Sequence, residues 1–177
     1  VHVAVAVIEN SAGECLIAQR HHHQHMGGYW EFPGGKVEAQ ETVFQALQRE
    51  IREEVALEIH RAEPLLRIPF SYPEKQVLLD VWRVTNFSGT ASSAEGQTVR
   101  WVSRSALSSY SFPPANRAIL TALHLPQCLL VTGAFQTPTE CLQRTQCAIE
   151  QKNIRAVMLR AHHLDRKNFS SLAEQMA

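Results

Sequence analysis

This chain has no excess charge of either sign: 17 Lys and Arg are matched by 17 Asp and Glu. Without a basic surplus, a broad surface tracking the phosphates of a nucleic acid polymer is not expected. A single nucleotide stays within reach, because its few charges need only a metal ion and one or two basic residues. Cysteine is sparse, and Cys15, Cys128, Cys141 and Cys147 form neither a CxxC pair nor a zinc-ligand pattern with the histidines. That argues against a disulfide framework and for buried or partly buried free thiols in a reducing cytoplasm. No apolar run comes near the roughly 20 residues of a membrane span, so no membrane partner is expected. The opening "VHVAVAVI" has no basic leader and no cleavage-like flank, and does not read as a signal peptide. It also lacks an initiator Met, so the chain is expected to begin inside its gene product.

What is present is a globular composition, over a length that allows one ordinary domain, or one domain and part of another. Val3, Val5 and Val7 alternate with smaller residues, "NSAG" supplies turn chemistry and "CLIAQR" follows, so 2–9 and 14–20 read as a β-hairpin. "HHHQHMGGYW" has no period and reads as a loop, and Pro33-Gly34-Gly35 breaks any regular element. From about Thr42 to Val55, the apolar residues Val43, Ala46, Leu47, Ile51 and Val55 recur at helical spacing. Strands are expected at roughly 64–71 and 76–86 around "YPEK", then at "TVRWV", with a second helix from "FPPANRAILTALHL". This pattern predicts an α+β class, helices covering a mixed sheet. Beyond Leu125-Pro126-Gln127, "CLLVTG" reads as a buried strand and "TPTECLQRTQCAIEQKN" as a helix capped by Thr137 or Thr139. "IRAVMLRA" and "DRKNFSSLAEQMA" read as a further strand and helix, the start of a parallel α/β unit. The expected domains are therefore 1–126 and a truncated 127–177.

The helix after Pro33-Gly34-Gly35 is crowded with glutamates. Residues three and four apart share a helix face, so Glu50, Glu53 and Glu54 lie side by side, with only Arg49 and Arg52 near. Like charges at that spacing repel, and a hard divalent cation relieves them: Mg²⁺ or Mn²⁺ takes a few carboxylates, several waters and substrate phosphates. A solvated acidic face is the plainer alternative.

The surrounding residues resolve that choice by resemblance. Gly35, Glu41, Arg49, Glu50, Ile51, Glu53, Glu54 and Leu57 match the box G-x5-E-x7-R-E-U-x-E-E-x-G-U, with U aliphatic; Ala56 stands where the box has Gly. In this the chain resembles the Nudix hydrolase family. "HMGGYWEFPGGK", "YPEKQVLLDVW", "EGQTVRW" and "FPPAN" fall in order, so the similarity extends to the MutT type over roughly 2–124. The resemblance implies a Nudix α-β-α sandwich with a mixed sheet. It also implies a metal-dependent pyrophosphohydrolase that splits 8-oxo-dGTP into 8-oxo-dGMP and pyrophosphate.

The same resemblance distributes roles. The Gly34 carbonyl, Glu53 and Glu54 would hold metal, Glu50 would sit beside them, and Glu95 would join from its loop. Either Glu50 or Glu95 would be the base, while Glu41 and Arg49 would lock loop to helix through a charge-assisted bond. Lys36 and Arg20 would meet phosphate, and Lys75 joins the substrate-binding set. His25 would line the nucleotide pocket, Phe32 would lie beneath the base, and Asn116 would read it; the other histidines of 21–25 read as solvated. Ala56 raises the question of how the helix ends. The tail is similar to the opening of thiamine-phosphate-synthase-like barrels, which implies a fused domain whose remainder is missing. Two alternatives stand beside this reading: a Nudix hydrolase of ADP-ribose or a dinucleoside polyphosphate, and a non-catalytic module that reads 8-oxoguanine.

Overall fold

Along β1 (His2–Ile8), Val5 and Val7 face one core while Ala4, Ala6 and Ile8 face another, and all five are buried. A strand buried on both faces must lie inside a sheet. In this computed structural model, which describes residues 1–126, 128–152 and 154–176, β1 does so. It pairs antiparallel with β4 (Gly34–Lys36) and parallel with β6 (Gln76–Ser88), whose other edge takes β5 (Glu58–Ser71). Gln127, Asn153 and Ala177, at the expected domain start and helix ends, lie outside the described residues.

The expected hairpin does not form. Asn10–Glu14 makes the turn, but β2 (Glu14–Gln19) leaves β1 after a single bridge, Glu9 to Cys15. It joins a separate antiparallel sheet with β3 (Trp30–Glu31) and β7 (Val99–Ser103). The reason is competition: both edges of β1 are already taken by β4 and β6, whose partners bury it on two sides.

The helix α1 (Val43–Val55) packs Ala46, Leu47, Ile51 and Val55 against the Ala4–Ala6 side, where small residues let the helix come close. Thr42 caps it in a reciprocal box with Gln45. Its other end answers the question of Ala56: that residue takes the left-handed conformation itself, φ 58° and ψ 32°. Its N–H donates to the Arg52 carbonyl at 3.2 Å, and the Leu57 N–H to Ile51 at 3.4 Å. The box glycine's conformation is thus kept without the glycine, at a cost of about 1–2 kcal/mol.

On the opposite side of the sheet, α2 (Arg117–His124) buries Ile119 and Leu123, preceded by a 3₁₀ turn at Pro114–Asn116. This is an α-β-α sandwich of α+β class with a mixed sheet.

The structure divides into two compact units, Val1–His124 and Leu125–Ala177. In the second, β8 (Leu129–Val131) and β9 (Ala156–Met158) pair in parallel. Between them runs α3 (Pro138–Lys152), and α4 (Arg166–Met176) follows. Thr137 makes the cap, its Oγ1 accepting from the Glu140 N–H at 3.2 Å. The strand at 129–131 is not buried as expected: Leu129 is 51 % and Val131 42 % exposed, because a two-stranded sheet with one small cluster around Phe135 and Leu172 covers little of it. The thiols also divide: Cys15 and Cys141 are buried, Cys128 and Cys147 exposed.

Candidate active site

The amphipathic pattern of α1 fixes which side its carboxylates leave from, and the strand before it fixes what they meet. At Gly34, φ is 147° and an added Cβ would lie 2.1 Å from the Ala4 carbonyl oxygen. At Gly35 an added Cβ would fall 2.1 Å from the Glu50 carboxyl carbon. Only glycine lets backbone and carboxylate approach so closely. The Gly34 N–H donates to Glu54 at 3.0 Å, so β4 and the helix share one contact zone.

Arg49 orders the rest. Its Nε and Nη2 each donate to Glu41 at 3.0 Å, its Nη2 also to the Lys36 carbonyl at 3.0 Å, and its Nη1 to Glu50 at 2.9 Å and Glu53 at 3.4 Å. This bidentate clamp ties the loop before α1 to the helix; it lowers the Glu41 pKa and raises that of Arg49. Helical spacing did place three glutamates together, but side-chain direction splits them. Glu50 and Glu53 turn to Arg49, while Glu54 turns to Gly34. Among the described residues no three His, Cys, Asp or Glu side chains are already drawn together as a metal cluster.

Glu54 lies in a recess of about 20 Å³, lined also by Glu95, Glu31, Arg20 and Gln97. That is room for one water-sized ligand. Burial pushes the Glu54 carboxyl up to about 8; the Gly34 N–H opposes this, and Glu31, Glu50 and Glu95 add repulsion. Glu50 is also raised, by burial first, against the pull of Arg49. A half-buried carboxylate with one backbone donor and three acidic neighbours suits a hard cation, so the residues fit a divalent metal. Gln97 holds the loop in place: its amide donates to the Glu54 carbonyl at 3.1 Å, and Ala94 N–H donates there too at 3.1 Å. The last turn of the helix thereby finds partners, and Glu95 is carried to the recess.

Beside it opens a larger cavity of about 170 Å³. It gathers His25, Phe32, Gly34, Lys75 and Asn116, and it shares Arg20 and Glu31 with the recess. Phe32 is 2 % exposed and stacks on Phe112 at 5.5 Å. His25 meets Glu74 at 3.2 Å and sets its ring edge-on to Tyr72, with Lys75 over the same ring at 5.7 Å. Asn116 is 8 % exposed in the 3₁₀ turn that Pro113 opens. Glu41, Arg49, Glu50 and Glu53 line neither space, and of the proposed substrate-binding residues Lys36 also lies outside both; it is exposed at the end of β4 and its carbonyl serves Arg49. His22 and His23 are exposed. Sequence reasoning passed over Glu31, Gln97 and Tyr72. Glu31 and Gln97 stand within the quoted stretches "WEFPGG" and "EGQTVRW", but no periodicity marks residues whose role comes from facing another loop.

The sandwich thus sets a recess lined by Glu54 and Glu95 beside a cavity lined by His25, Phe32 and Asn116. The chain belongs to the NUDIX family: the family described as NUDIX domain matches residues 4–122. The 8-oxo-dGTP diphosphatase of Escherichia coli K12 is 35 % identical over 121 residues, covering 68 % of this chain and 94 % of that protein. The CTP pyrophosphohydrolase of the same strain is 36 % identical over 122 residues, covering 69 % and 90 %. A solved MutT structure, from a study of the enzymes of Aliivibrio salmonicida and Vibrio cholerae, superposes with a TM-score of 0.62. It is 36 % identical, over 69 % of this chain and 94 % of that one. Family membership carries with it a need for a divalent cation.

Proposed function

We propose that this Nudix hydrolase converts 8-oxo-dGTP to 8-oxo-dGMP and pyrophosphate, with Mg²⁺ (or Mn²⁺) as the cation, in the cytoplasm. The observation that carries the reading is the cavity that places Asn116, Phe32 and His25 next to the recess of Glu54 and Glu95. Oxidation at C8 turns guanine N7 from an acceptor into an N–H donor beside the O6 acceptor. The Asn116 amide holds an acceptor oxygen and donor hydrogens on one group, so it accepts from N7–H and donates to O6. With ordinary guanine its oxygen meets a lone pair.

Gly34, Glu53 and Glu54, with Glu50 and Glu95 beside them, would hold the cation, which supplies Lewis acidity and charge neutralisation at the phosphates. The protein's own residues do the rest. Arg49 holds Glu41, Glu50 and Glu53, while Glu95 lines the recess with Glu54. This division favours Glu95 as the group that takes the proton from the attacking water, with Glu50 as its alternate. Arg20 and Lys75, lining the larger cavity, would meet the phosphates and sugar.

The similarity to a CTP pyrophosphohydrolase supports a second reading, a pyrimidine substrate. Pyrophosphate release from 8-oxo-dGTP, dGTP and CTP with Mg²⁺ separates the two, and AMP release from ADP-ribose is read alongside. 8-oxo-dGTP is expected to lead by orders of magnitude in kcat/KM; a CTP lead overturns the oxidised-guanine reading. We also propose that 1–126 is the hydrolase domain and 127–177 the start of a thiamine-phosphate-synthase-like domain. The support is the parallel β8–β9 pair joined through α3.

A further inference from the structure

Arg20 and Glu31 stand at the seam of the site, lining both the ring-sized cavity and the carboxylate recess. The pairing of β2 with β3 puts them there, since Ala18 faces Glu31 and Gln19 faces Trp30 in register. Arg20 Nη1 donates to Glu31, and its Nε donates to the His25 carbonyl at 2.9 Å. Both side chains are about three-quarters covered, at 23 % and 24 % exposure. A guanidinium has five N–H donors, so these two contacts leave others for whatever enters at the seam. The groups around it are mainly acidic: the recess holds Glu31, Glu54 and Glu95 against Arg20.

We propose that Glu31 is a positioning residue that holds and neutralises Arg20, so that a nucleotide phosphate gains the guanidinium only when it arrives with a cation. This rests on the nucleotide reading above. Without a cation, an incoming phosphate meets a guanidinium already paired and an acidic recess that offers it no counter-charge. A cation held in the recess would give the phosphate its counter-charge there, and the unused edge of Arg20 then adds to it. The pair therefore sets how strongly binding depends on metal, apart from any role in the chemical step. It also orients the loop at His25, because the same guanidinium holds that residue's carbonyl.

The test uses 8-oxo-dGMP and CMP as probes, titrated calorimetrically into the full chain in EDTA and in Mg²⁺. Glu31→Gln keeps an acceptor for Arg20 and removes the charge. It is expected to bind 8-oxo-dGMP about tenfold tighter than wild type in EDTA, while affinities in Mg²⁺ stay within a few-fold. The Glu31→Gln/Arg20→Met double variant is expected to lose the gain. A residue with a merely structural role would weaken binding in both buffers, and that result, or metal-free binding unchanged in a variant with a native melt, overturns the proposal. Arg20→Met alone gives a second reading that does not depend on Glu31→Gln folding. It should weaken Mg²⁺-supported binding by more than tenfold and metal-free binding by less than twofold; equal losses overturn the proposal. If CMP outbinds 8-oxo-dGMP in wild type, the oxidised-guanine reading fails while the charge argument is still decided by the EDTA comparison.

Discussion

Replacing Glu54 by Gln should make the metal-free protein more stable and the enzyme inactive. The native Glu54 carboxyl keeps its proton up to about pH 8, whereas in the unfolded chain it releases it near 4.5. Between those values the native state binds more protons, so this group's contribution to stability falls as pH rises and the penalty is complete above about 8. At about 1.4 kcal/mol per pH unit the ceiling is about 4–5 kcal/mol; relaxation and water entry reduce the realised value to roughly 1–3 kcal/mol. A glutamine side-chain oxygen still accepts from the Gly34 N–H, bonded at 3.0 Å in the wild type, and carries no charge to desolvate. In EDTA at about pH 8.5, Glu54→Gln is therefore expected to melt roughly 3–10 °C above wild type, at about 2–4 °C per kcal/mol for a chain of this size. At about pH 5 the difference should vanish, because the wild-type carboxyl is then protonated in the fold. Mg²⁺ reverses the order at high pH: it stabilises wild type by mass action, and the variant loses most of that gain. Thermal melts at the two pH values, with EDTA and with Mg²⁺, read all four quantities. A variant that melts below wild type in EDTA at high pH, or that keeps the full Mg²⁺ gain and turnover, refutes the reasoning.

Three further outcomes are expected. Ala56→Gly relieves the left-handed alanine at the end of α1 and should raise stability by about 1 kcal/mol, seen as a higher melting temperature with kcat/KM unchanged. Asn116→Ala leaves the oxidised base without its partner; at about 1–3 kcal/mol for an unpaired buried group, it should collapse the 8-oxo-dGTP to dGTP ratio in kcat/KM chiefly by losing the oxidised substrate. A shortened chain of residues 1–126 contains every residue assigned to the site and should hydrolyse nucleotide within a few-fold of the full chain; loss of activity in a folded short chain would count against the division into hydrolase and tail.

Much of α1 was legible in the sequence because its information is local. The spacing of Ala46, Leu47, Ile51 and Val55 fixes a buried face whatever it packs against, and Thr42 with Gln45 carries its own cap. The box from Gly35 to Leu57 is likewise a contiguous stretch, so the pattern of residue types alone identifies the loop and helix that carry the carboxylates. The ending at Ala56 was not legible, because the left-handed turn there is decided by backbone bonds to Ile51 and Arg52 rather than by a glycine.

Tertiary structure decided what depends on partners distant in sequence. "VHVAVAVI" and "CLIAQR" read as a hairpin because each has strand character and a turn lies between them. Which edges they pair is settled by β4 and β6, competing for β1 from 29–33 and 76 residues away. Helical spacing set Glu50, Glu53 and Glu54 on one face, but whether they share a ligand depends on what approaches that face. Arg49 draws two of them aside, and Gly34 takes the third into a recess with Glu31 and Glu95. The Arg20–Glu31 seam exists only because β2 and β3 lie side by side. Short-range periodicity fixes the direction in which each side chain leaves its element; charge pairing and burial are properties of the spaces those elements enclose, and no stretch of the chain contains them by itself.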